Sequence, residues 1–461
     1  MNFLRAHKVE IFIFLIAVIA RVFYFGISLN YQGDLTKTMW AADGYYEVSR
    51  NIIEGHGYSA DSAPPYTPYS FRPPVYHYFI AGSYFLFGGY WGVIIFQMLI
   101  GSVLPLLAMR ISRFVIDSRK IAIGVGVLLA LEPYSILFSS ILYTETFFTF
   151  LFFLSILFLF KYFKEKIFYY SLISAFFLGL TTLVKPTAQY LPVLFALIFI
   201  WESRKNLSKK VFIYTGVYVL VFLLTISPWL YRNYREFNVI GISPQQGSAL
   251  YTVLVPSVLT IENNTSFKQE FNELLNTGVA GPNQTNLVQS KEYAKRAIPI
   301  LINHPAAFAL LSANTALNFF IHDGMLDVLR HVGFTPNERL RKPALFILLS
   351  SPVEFFSLIK KFSTTPMVFV LLGRILWIFI TVVFFAGVIR YFRHEKITPH
   401  VIIALSLVLY FMLTSLVIGL SISARYRMPV NLFIFSFATY EVLSIAALLR
   451  KKYSDKDVSV S

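Results

Sequence analysis

The chain has 461 residues, of which 56% are hydrophobic and only 14% are charged, and its net charge is +16. Soluble domains carry about 25% charged residues, so this composition excludes an ordinary soluble protein and predicts an all-α protein that crosses a membrane several times. The chain has no cysteine, which excludes disulfides, thiol catalysis and cysteine-based metal sites. Its basic residues cluster beside apolar runs, a pattern that membrane topology explains, so the charge does not indicate a nucleic acid partner.

Ten apolar segments predict membrane spans, because a helix of roughly 20 apolar residues is long enough to cross a bilayer. In chain order they are 9–29, 91–110, 121–140, 143–162, 167–184, 186–201, 211–230, 366–390, 399–420 and 428–449. Two further apolar stretches, 297–320 and 343–359, are expected to be interfacial helices or one additional pair of spans. The predicted count is therefore ten, with twelve as the alternative.

The distribution of lysine and arginine predicts which loops face the cytoplasm, where these residues are enriched. The basic stretches are 112–120, 161–166, 202–210, 390–396 and 450–456. With these stretches and both termini in the cytoplasm, residues 30–90 form a first external loop and residues 231–365 a second, longer one. Residues 74–88 are short and rich in tyrosine, which favours the membrane interface, so they predict an interfacial helix. We expect one domain over 1–461, with a cytoplasmic tail at 450–461, in the inner or plasma membrane.

Charged residues gather on the predicted external side, although charge at membrane depth is costly and usually functional. They are Asp34, Asp43, Glu47, Arg72, Glu132, Glu145, Lys185, Arg232, Arg374, Arg425 and Arg427. Asp43 begins the stretch DGYYEVSRNII. It is either a helix cap or a solvated loop carboxylate, or a base that takes a proton from an acceptor. The residue alone does not decide between these interpretations.

Three further residues have similar alternatives. Arg72, in FRPPVY, either reaches the lipid headgroups or grips a phosphate, whose oxygens a guanidinium matches in bidentate fashion. Glu145, in LYTETFF, either suits the positive N-terminal end of the next helix or faces the same cavity as Asp43, where it orients an acceptor or binds a divalent cation. Lys185 precedes Pro186, which predicts irregular backbone of the kind that lines cavities, so Lys185 is a candidate phosphate ligand.

Two arginines in the segment SARYRMP, Arg425 and Arg427, depart from the cytoplasmic enrichment of positive charge. Outward-facing arginines need an anionic partner, which is either a lipid headgroup or a polyprenyl phosphate. Arg232 follows Trp229, an expected interface anchor, and its own role stays open at this point.

These motifs, in this order, resemble the GT-C fold of integral-membrane glycosyltransferases, and more specifically the bacterial dolichyl-phosphate-mannose-protein mannosyltransferase-like group and the lipid A aminoarabinose transferases. The matching pieces, which are spread over most of the chain, are ADGYYEVSRNIIEGHGYS, FRPPVYHYFIAGSYFLFG, LYTETFF, LVKPT, SPWLYRN, NHPAAF and RYRMP. The resemblance implies a sugar donor carried on polyprenyl phosphate at the external face. The acceptor is a lipid, a glycan or a protein, membrane lipids surround the chain, and no cofactor is expected to be required. A divalent cation stays an alternative.

The resemblance also implies roles for single residues. Asp43 matches the first-loop acid that serves as catalytic base in this fold. Glu145 and Glu47 are expected to be a second acid or to bind the acceptor. The candidates for binding the donor and its lipid phosphate are Arg72, Lys185, Arg232, Arg374, Arg425, Tyr426 and Arg427. The chain departs from the protein O-mannosyltransferases in two respects, because Gly44 follows Asp43 where a second acid is often found, and because the large sugar-binding insert is missing.

Two other function classes stay open. A transporter or lipid flippase fits the broken helices and the membrane charges, but it predicts charges spread through the bilayer midplane. An O-antigen ligase or polymerase also uses a polyprenyl-linked donor, and would place its chemistry in the second external loop, at His304, His322 or Arg330. The identity of the sugar is not predicted.

Overall fold

The computed structural model describes residues 7–40, 43–204, 208–278, 286–334, 351, 353, 357 and 365–458. The regular elements in this part of the chain are all helical. The α-helices, in chain order, are α1 (Lys8–Gln32), α2 (Leu35–Met39), α3 (Tyr45–Ile53), α4 (Val75–Phe87), α5 (Tyr90–Val115), α6 (Arg119–Leu131), α7 (Pro133–Ser140), α8 (Thr144–Glu165), α9 (Phe168–Val184), α10 (Leu191–Glu202), α11 (Lys209–Phe237), α12 (Gln245–Ala249), α13 (Val255–Glu262), α14 (Phe267–Leu275), α15 (Leu287–Asn303), α16 (Pro305–Ile321), α17 (Met325–His331), α18 (Thr365–His394), α19 (Pro399–Ser415) and α20 (Asn431–Val458). The π-helix Leu250–Leu254 joins α12 to α13, and short 3₁₀ segments lie at Pro186–Ala188, Leu416–Ser421, Ala424–Tyr426 and Met428–Val430.

Seven helices of the described chain are long and apolar enough to cross a membrane, and two bent pairs raise that number to as many as nine. The bent pairs are α6 with α7, at 51°, and α15 with α16, at 103°. The helix α9 and the segment containing α10 are apolar but shorter. Each of the ten predicted spans falls on one of these helices or on the pair α6–α7, so the predicted all-α, multi-pass architecture is confirmed.

The predicted interfacial segments have different outcomes. The helix α4 coincides with the segment predicted at 74–88. The stretch 297–320 falls on the bent pair α15–α16. The stretch 343–359 lies outside the described residues except for residues 351, 353 and 357.

The helices α5 and α8 form the centre of the bundle, because 67% of the apolar window of each is buried, against 17% for α11 and 28% for α1. Helices that are surrounded by lipid pack through close contact of small residues more than through burial of apolar area. Gly387 in α18 is one such residue. A Cβ added there would lie 2.2 Å from the carbonyl oxygen of Phe437, so glycine is what allows α18 to approach α20.

Helix ends bring the candidate site residues together. The first turn of α8, the last turn of α19 and the segment 185–190 between α9 and α10 all line one cavity. Two local features shape this region. Gly44 precedes α3 with a φ of 77°, a left-handed conformation that favours glycine, so the chain turns sharply after Asp43. Pro186 disfavours helical backbone in the residue before it, and α9 therefore ends at Val184, followed by Lys185, which is extended with φ −146° and ψ 122°.

Candidate active site

A cavity of about 260 Å³ collects side chains from seven separate segments of the chain. Its charged lining residues are Asp43, Arg72, Glu145, Lys185 and Arg425. Its apolar lining residues include Phe148, Val253, Phe411, Val417 and Ile418. The cavity therefore has a charged part and an apolar part, an arrangement that suits an amphipathic ligand with an anionic head.

Asp43 points its carboxylate into a group of donors. Nη2 of Arg72 lies 3.3 Å from Oδ2 of Asp43, and Nη1 of Arg425 lies 3.9 Å from the same oxygen. The hydroxyl of Tyr143 also donates to Oδ2. Within the described chain no hydrogen bond reaches Oδ1, and the cap position of α3 is occupied by Gly44 without a side-chain bond. The carboxylate is therefore not a helix cap, and its second oxygen is left for a ligand.

The surroundings of Asp43 oppose one another in their effect on its pKa. Burial alone raises the pKa of this carboxyl. Arg72 and Arg425 lower it, and the Tyr143 hydroxyl and Lys185 add smaller effects in the same direction. The net result is a pKa below the ordinary value for aspartate, so Asp43 is ionised at neutral pH.

Two aromatic rings contact the guanidinium of Arg72. Its guanidinium carbon lies 5.2 Å from the ring centre of Tyr45 and 5.1 Å from that of Phe71. Such cation–π contacts fix the orientation of a guanidinium that carries five donors. The buried Nε of Arg72 has no hydrogen-bond partner in the described chain.

Glu145 and Lys185 form a second charged pair in the cavity. Nζ of Lys185 donates to Oε1 of Glu145 at 3.0 Å, and the Glu145 side chain is only 2% exposed. The Lys185 ammonium also lies 5.2 Å from the ring centre of Tyr426. Thr144 does not cap α8, because Tyr143 occupies the cap position, and the Thr144 hydroxyl donates to Oε2 of Glu145 at 3.2 Å. Glu145 lies in the first turn of α8 as predicted, and its principal partner is a cation from another helix end.

Arg425 contacts side chains that lie beside both carboxylates of the cavity, Asp43 and Glu145. Its Nη1 donates to the Tyr143 hydroxyl, and its Nη2 donates to the Tyr426 hydroxyl at 2.8 Å. The guanidinium also stacks over the rings of Tyr143 and Tyr426, at 5.4 and 4.9 Å from their centres. The Tyr143 hydroxyl thus accepts from Arg425 and donates to Asp43, which links the cation to the acid.

Four predicted site residues do not line this cavity, namely Glu47, Arg232, Arg374 and Arg427. Glu47 accepts a hydrogen bond from the indole of Trp40 at 3.3 Å. Arg374 forms an ion pair with Asp323 at 2.8 Å. Arg232 donates to the carbonyl of Tyr69 at 2.8 Å, behind the wall that carries Arg72.

Arg427 is fully buried, whereas its neighbour Arg425 faces the cavity. The guanidinium of Arg427 donates to the carbonyls of Phe319 and Phe320 at 2.6 Å and to that of His322 at 2.8 Å. It also lies 3.4 Å from the ring centre of Trp377. Its partners are backbone carbonyls at the end of α16, and no lipid phosphate is needed to satisfy its donors.

Sequence reasoning missed several polar residues of the cavity. Tyr143 was recognised only as a neighbour of Glu145, although its hydroxyl contacts both Asp43 and Arg425. Gln245 and Gln246, at the start of α12, also line the cavity. They lie in a stretch of the second loop without a charge or a known motif, so no local signal marked them. The described residues contain no group of three or more His, Asp or Glu side chains arranged to hold a metal ion.

Comparison with protein families gives one match. Residues 71–231, about a third of the chain, match the family described as dolichyl-phosphate-mannose-protein mannosyltransferase. This stretch contains Arg72, Glu145 and Lys185 and begins after Asp43. The match confirms, over these residues, the resemblance that the motifs predicted. A search of curated proteins finds no match to this chain.

Solved structures that are similar to this chain include proteins of two organisms. The oligosaccharyltransferase of Archaeoglobus fulgidus in its apo form is 13% identical, with a TM-score of 0.46, over 95% of this chain and 52% of that one. The same archaeal enzyme with an inhibitory peptide and a dolichol-phosphate is 14% identical, with a TM-score of 0.45 and the same coverage. ArnT from Cupriavidus metallidurans bound to undecaprenyl phosphate is 14% identical, with a TM-score of 0.38, over 91% of this chain and 77% of that one. The chain thus spans about half the length of the archaeal enzyme.

Proposed function

We propose that this membrane protein is a glycosyltransferase that moves a sugar from a polyprenyl-phosphate donor to an acceptor at the external face of the membrane. The observation that carries the proposal is the meeting of Asp43, Arg72 and Arg425 in one cavity. A base and two guanidiniums at one point are what glycosyl transfer from a phosphate leaving group needs. The match of residues 71–231 to a mannosyltransferase family whose name specifies a dolichyl-phosphate donor supports the same reaction class.

The charge of the cavity suits a lipid phosphodiester. Three cations against two carboxylates leave one formal positive charge in the lining. A sugar-phosphate-polyprenol is a phosphodiester with a single negative charge, so the donor neutralises the cavity when it binds. The apolar side of the cavity, around Phe411 and Ile418, accepts the first part of the polyprenyl chain.

The reaction is a displacement at the anomeric carbon. An oxygen or nitrogen of the acceptor forms the new bond to that carbon, and the bond from the carbon to the phosphate oxygen breaks with its electron pair on the oxygen. The polyprenyl phosphate leaves with increased negative charge, which Arg72 and Arg425 stabilise because they are already oriented by aromatic rings. Oδ1 of Asp43 takes the proton of the acceptor. A single displacement of this kind inverts the anomeric configuration.

The electrostatics of Asp43 follow from its neighbours. Arg72 and Arg425 hold the pKa of Asp43 below the ordinary value, against the opposing effect of burial. A donor phosphate on these arginines brings a negative charge close to the carboxylate and raises its basicity. A bound donor therefore makes Asp43 a better base, and the basicity of Asp43 increases further as charge develops on the leaving phosphate.

The proposal is tested with membranes that contain the wild-type chain or Asp43→Asn at equal levels. Polyprenyl-phosphate sugars are quantified in both by mass spectrometry. Accumulation of one lipid-linked sugar only in the variant would identify the donor and support the base. Identical lipid pools would overturn the assignment of Asp43 and favour a transporter, for which this carboxylate need not act as a base.

A further inference from the structure

The segment that carries Arg72 is held by three side chains that bond to its backbone. The hydroxyl of Tyr58 donates to the carbonyl of Arg72 at 2.8 Å. The hydroxyl of Ser243 donates to the carbonyl of Phe71 at 2.6 Å, and Nη1 of Arg232 donates to the carbonyl of Tyr69 at 2.8 Å. Three of the four carbonyls over residues 69–72 therefore accept a hydrogen bond from a side chain outside the segment.

The contacts of the Arg232 guanidinium hold it in place for its hydrogen bond to the Tyr69 carbonyl. Its guanidinium carbon lies 4.9, 5.2 and 5.6 Å from the ring centres of Trp229, Phe237 and Tyr58. Besides Tyr69, its Nη1 also donates to Oδ1 of Asn233 at 2.9 Å. The half-buried side chain thus contacts aromatic rings outside the cavity lining, although the sequence made it a candidate for binding the donor phosphate.

Ser243 is in turn fixed to the end of α11. Nε1 of Trp229 donates to the carbonyl of Ile242 at 2.7 Å, and Nδ2 of Asn233 donates to that of Gly241 at 2.8 Å. The segment 241–243 therefore has a defined position relative to α11. The backbone N–H of Gln245, the first residue of α12, donates to the Ser243 hydroxyl at 3.2 Å.

Tyr58 has a second, buried partner. Its hydroxyl lies 2.8 Å from Nδ1 of His77, and the same nitrogen lies 3.1 Å from the carbonyl of Pro73. A carbonyl only accepts, so this network assigns the proton to Nδ1. Burial lowers the pKa of His77 to about 3, an effect that the Pro73 carbonyl opposes and Arg72 reinforces. The imidazole therefore stays neutral and the contact is kept over the whole physiological pH range.

We infer that Arg232, Ser243 and Tyr58 form a clamp whose function is to position Arg72 for the donor phosphate. The inference rests on the proposed function, because it takes Arg72 to contact that phosphate. The three residues are positioning residues, which act only through the guanidinium that they orient. The clamp also joins the first external loop, which carries Arg72, to the start of the second one, which carries Ser243.

The test is a set of double-mutant cycles with undecaprenyl phosphate as the binding probe. Ser243→Ala and Tyr58→Phe each delete one hydroxyl, and Arg232→Gln removes the guanidinium that donates to the Tyr69 carbonyl. We expect each to weaken binding of undecaprenyl phosphate by roughly 3- to 10-fold, because a displaced Arg72 guanidinium loses about one hydrogen bond to the phosphate. In an Arg72→Gln background the same changes should have no further effect, because the group that they position is gone.

The controls separate positioning from general damage. Arg235→Gln changes an exposed arginine one turn further along α11, whose side chain contacts Tyr231, and it should bind the probe like the wild type. The melting temperature of each purified variant reports on folding. Equal losses of binding in the wild-type and Arg72→Gln backgrounds would overturn the clamp while keeping the role of Arg72. Unchanged binding in Arg72→Gln alone would instead refute the phosphate site itself, and with it that part of the proposed function.

Discussion

Replacing Asp43 with asparagine should weaken sugar transfer and strengthen the binding of undecaprenyl phosphate. Transfer of the sugar should fall by about 10²- to 10⁴-fold, the usual contribution of a positioned general base. Binding of undecaprenyl phosphate should at the same time become tighter, because the variant removes the anion that competes for Arg72 and Arg425. A variant that was merely misfolded would lose both properties.

The gain in affinity follows from Coulomb's law and the geometry of the cavity. The variant raises the formal charge of the lining by one unit, from the single positive charge of the wild type. At an effective dielectric constant of about 20, charges on the order of 6 Å apart interact by roughly 3 kcal/mol. The Asp43 side chain is 26% exposed, and solvent screening reduces the figure to about 1–2 kcal/mol. We therefore expect undecaprenyl phosphate to bind about 5- to 30-fold more tightly.

The assay measures binding of undecaprenyl phosphate to the purified proteins in one detergent and at two ionic strengths. The difference between wild type and variant should shrink at high salt, because it is electrostatic. Glu47→Gln is a matched control, since this carboxylate lies on α3 outside the cavity lining. Weaker binding in Asp43→Asn would refute the placement of the phosphate on the two arginines, and normal transfer would refute the base.

Three other predictions concern pH, stability and topology. Because its pKa is lowered, Asp43 should be lost as a base only when pH falls below the ordinary pKa of an aspartate carboxyl, which the pH dependence of kcat/KM for the donor measures. Lys185→Met should lower the free energy of unfolding by about 2–4 kcal/mol, since it leaves the buried Glu145 without its counter-ion, as denaturant titration in detergent can measure. In this cysteine-free chain, Ser62→Cys should react with a membrane-impermeant maleimide in intact cells, and Lys120→Cys only after lysis.

Each of these has its own control. An acid limb well above pH 5 for kcat/KM would contradict the charge arrangement around Asp43. Asp117→Asn breaks an ion pair with Arg113 that is exposed, and it should change stability by less than about 1 kcal/mol. An equal loss in the two variants would show that burial of Glu145 is not what matters. Labelling of Lys120→Cys in intact cells would reverse the predicted orientation.

The helices and their class were predictable from the sequence, because the length of an apolar run is a local property. All ten predicted spans fall on helices, including the pair interrupted by Glu132 and Pro133. The breaks were predictable where proline or glycine marked them, as at Pro186. The 103° bend between α15 and α16 was not predicted, although Pro305 stands at the break, because a proline marks an interruption and does not fix the angle between the two helices.

The candidate site was predictable in part, for a similar reason. Asp43, Arg72, Glu145, Lys185 and Arg425 stood out because charged residues are rare and costly in such a chain. The partners of these residues could not be read from the sequence. Asp43 meets Tyr143 and Arg425 only because the first turn of α8 and the segment before α20 lie at the same end of the bundle.

Arg425 and Arg427 show most clearly which features the sequence determines and which depend on the tertiary structure. The sequence by itself determined a polytopic helical protein with an unusual set of external charges, because apolar length and charge content are sums over neighbouring residues. It could not separate two arginines that lie two positions apart in the same motif. Only the tertiary structure decided that one faces the cavity and that the other is buried against backbone carbonyls of α16. The physical reason is that a guanidinium is satisfied by whichever acceptors the packed helices bring to it, and these come from distant parts of the chain.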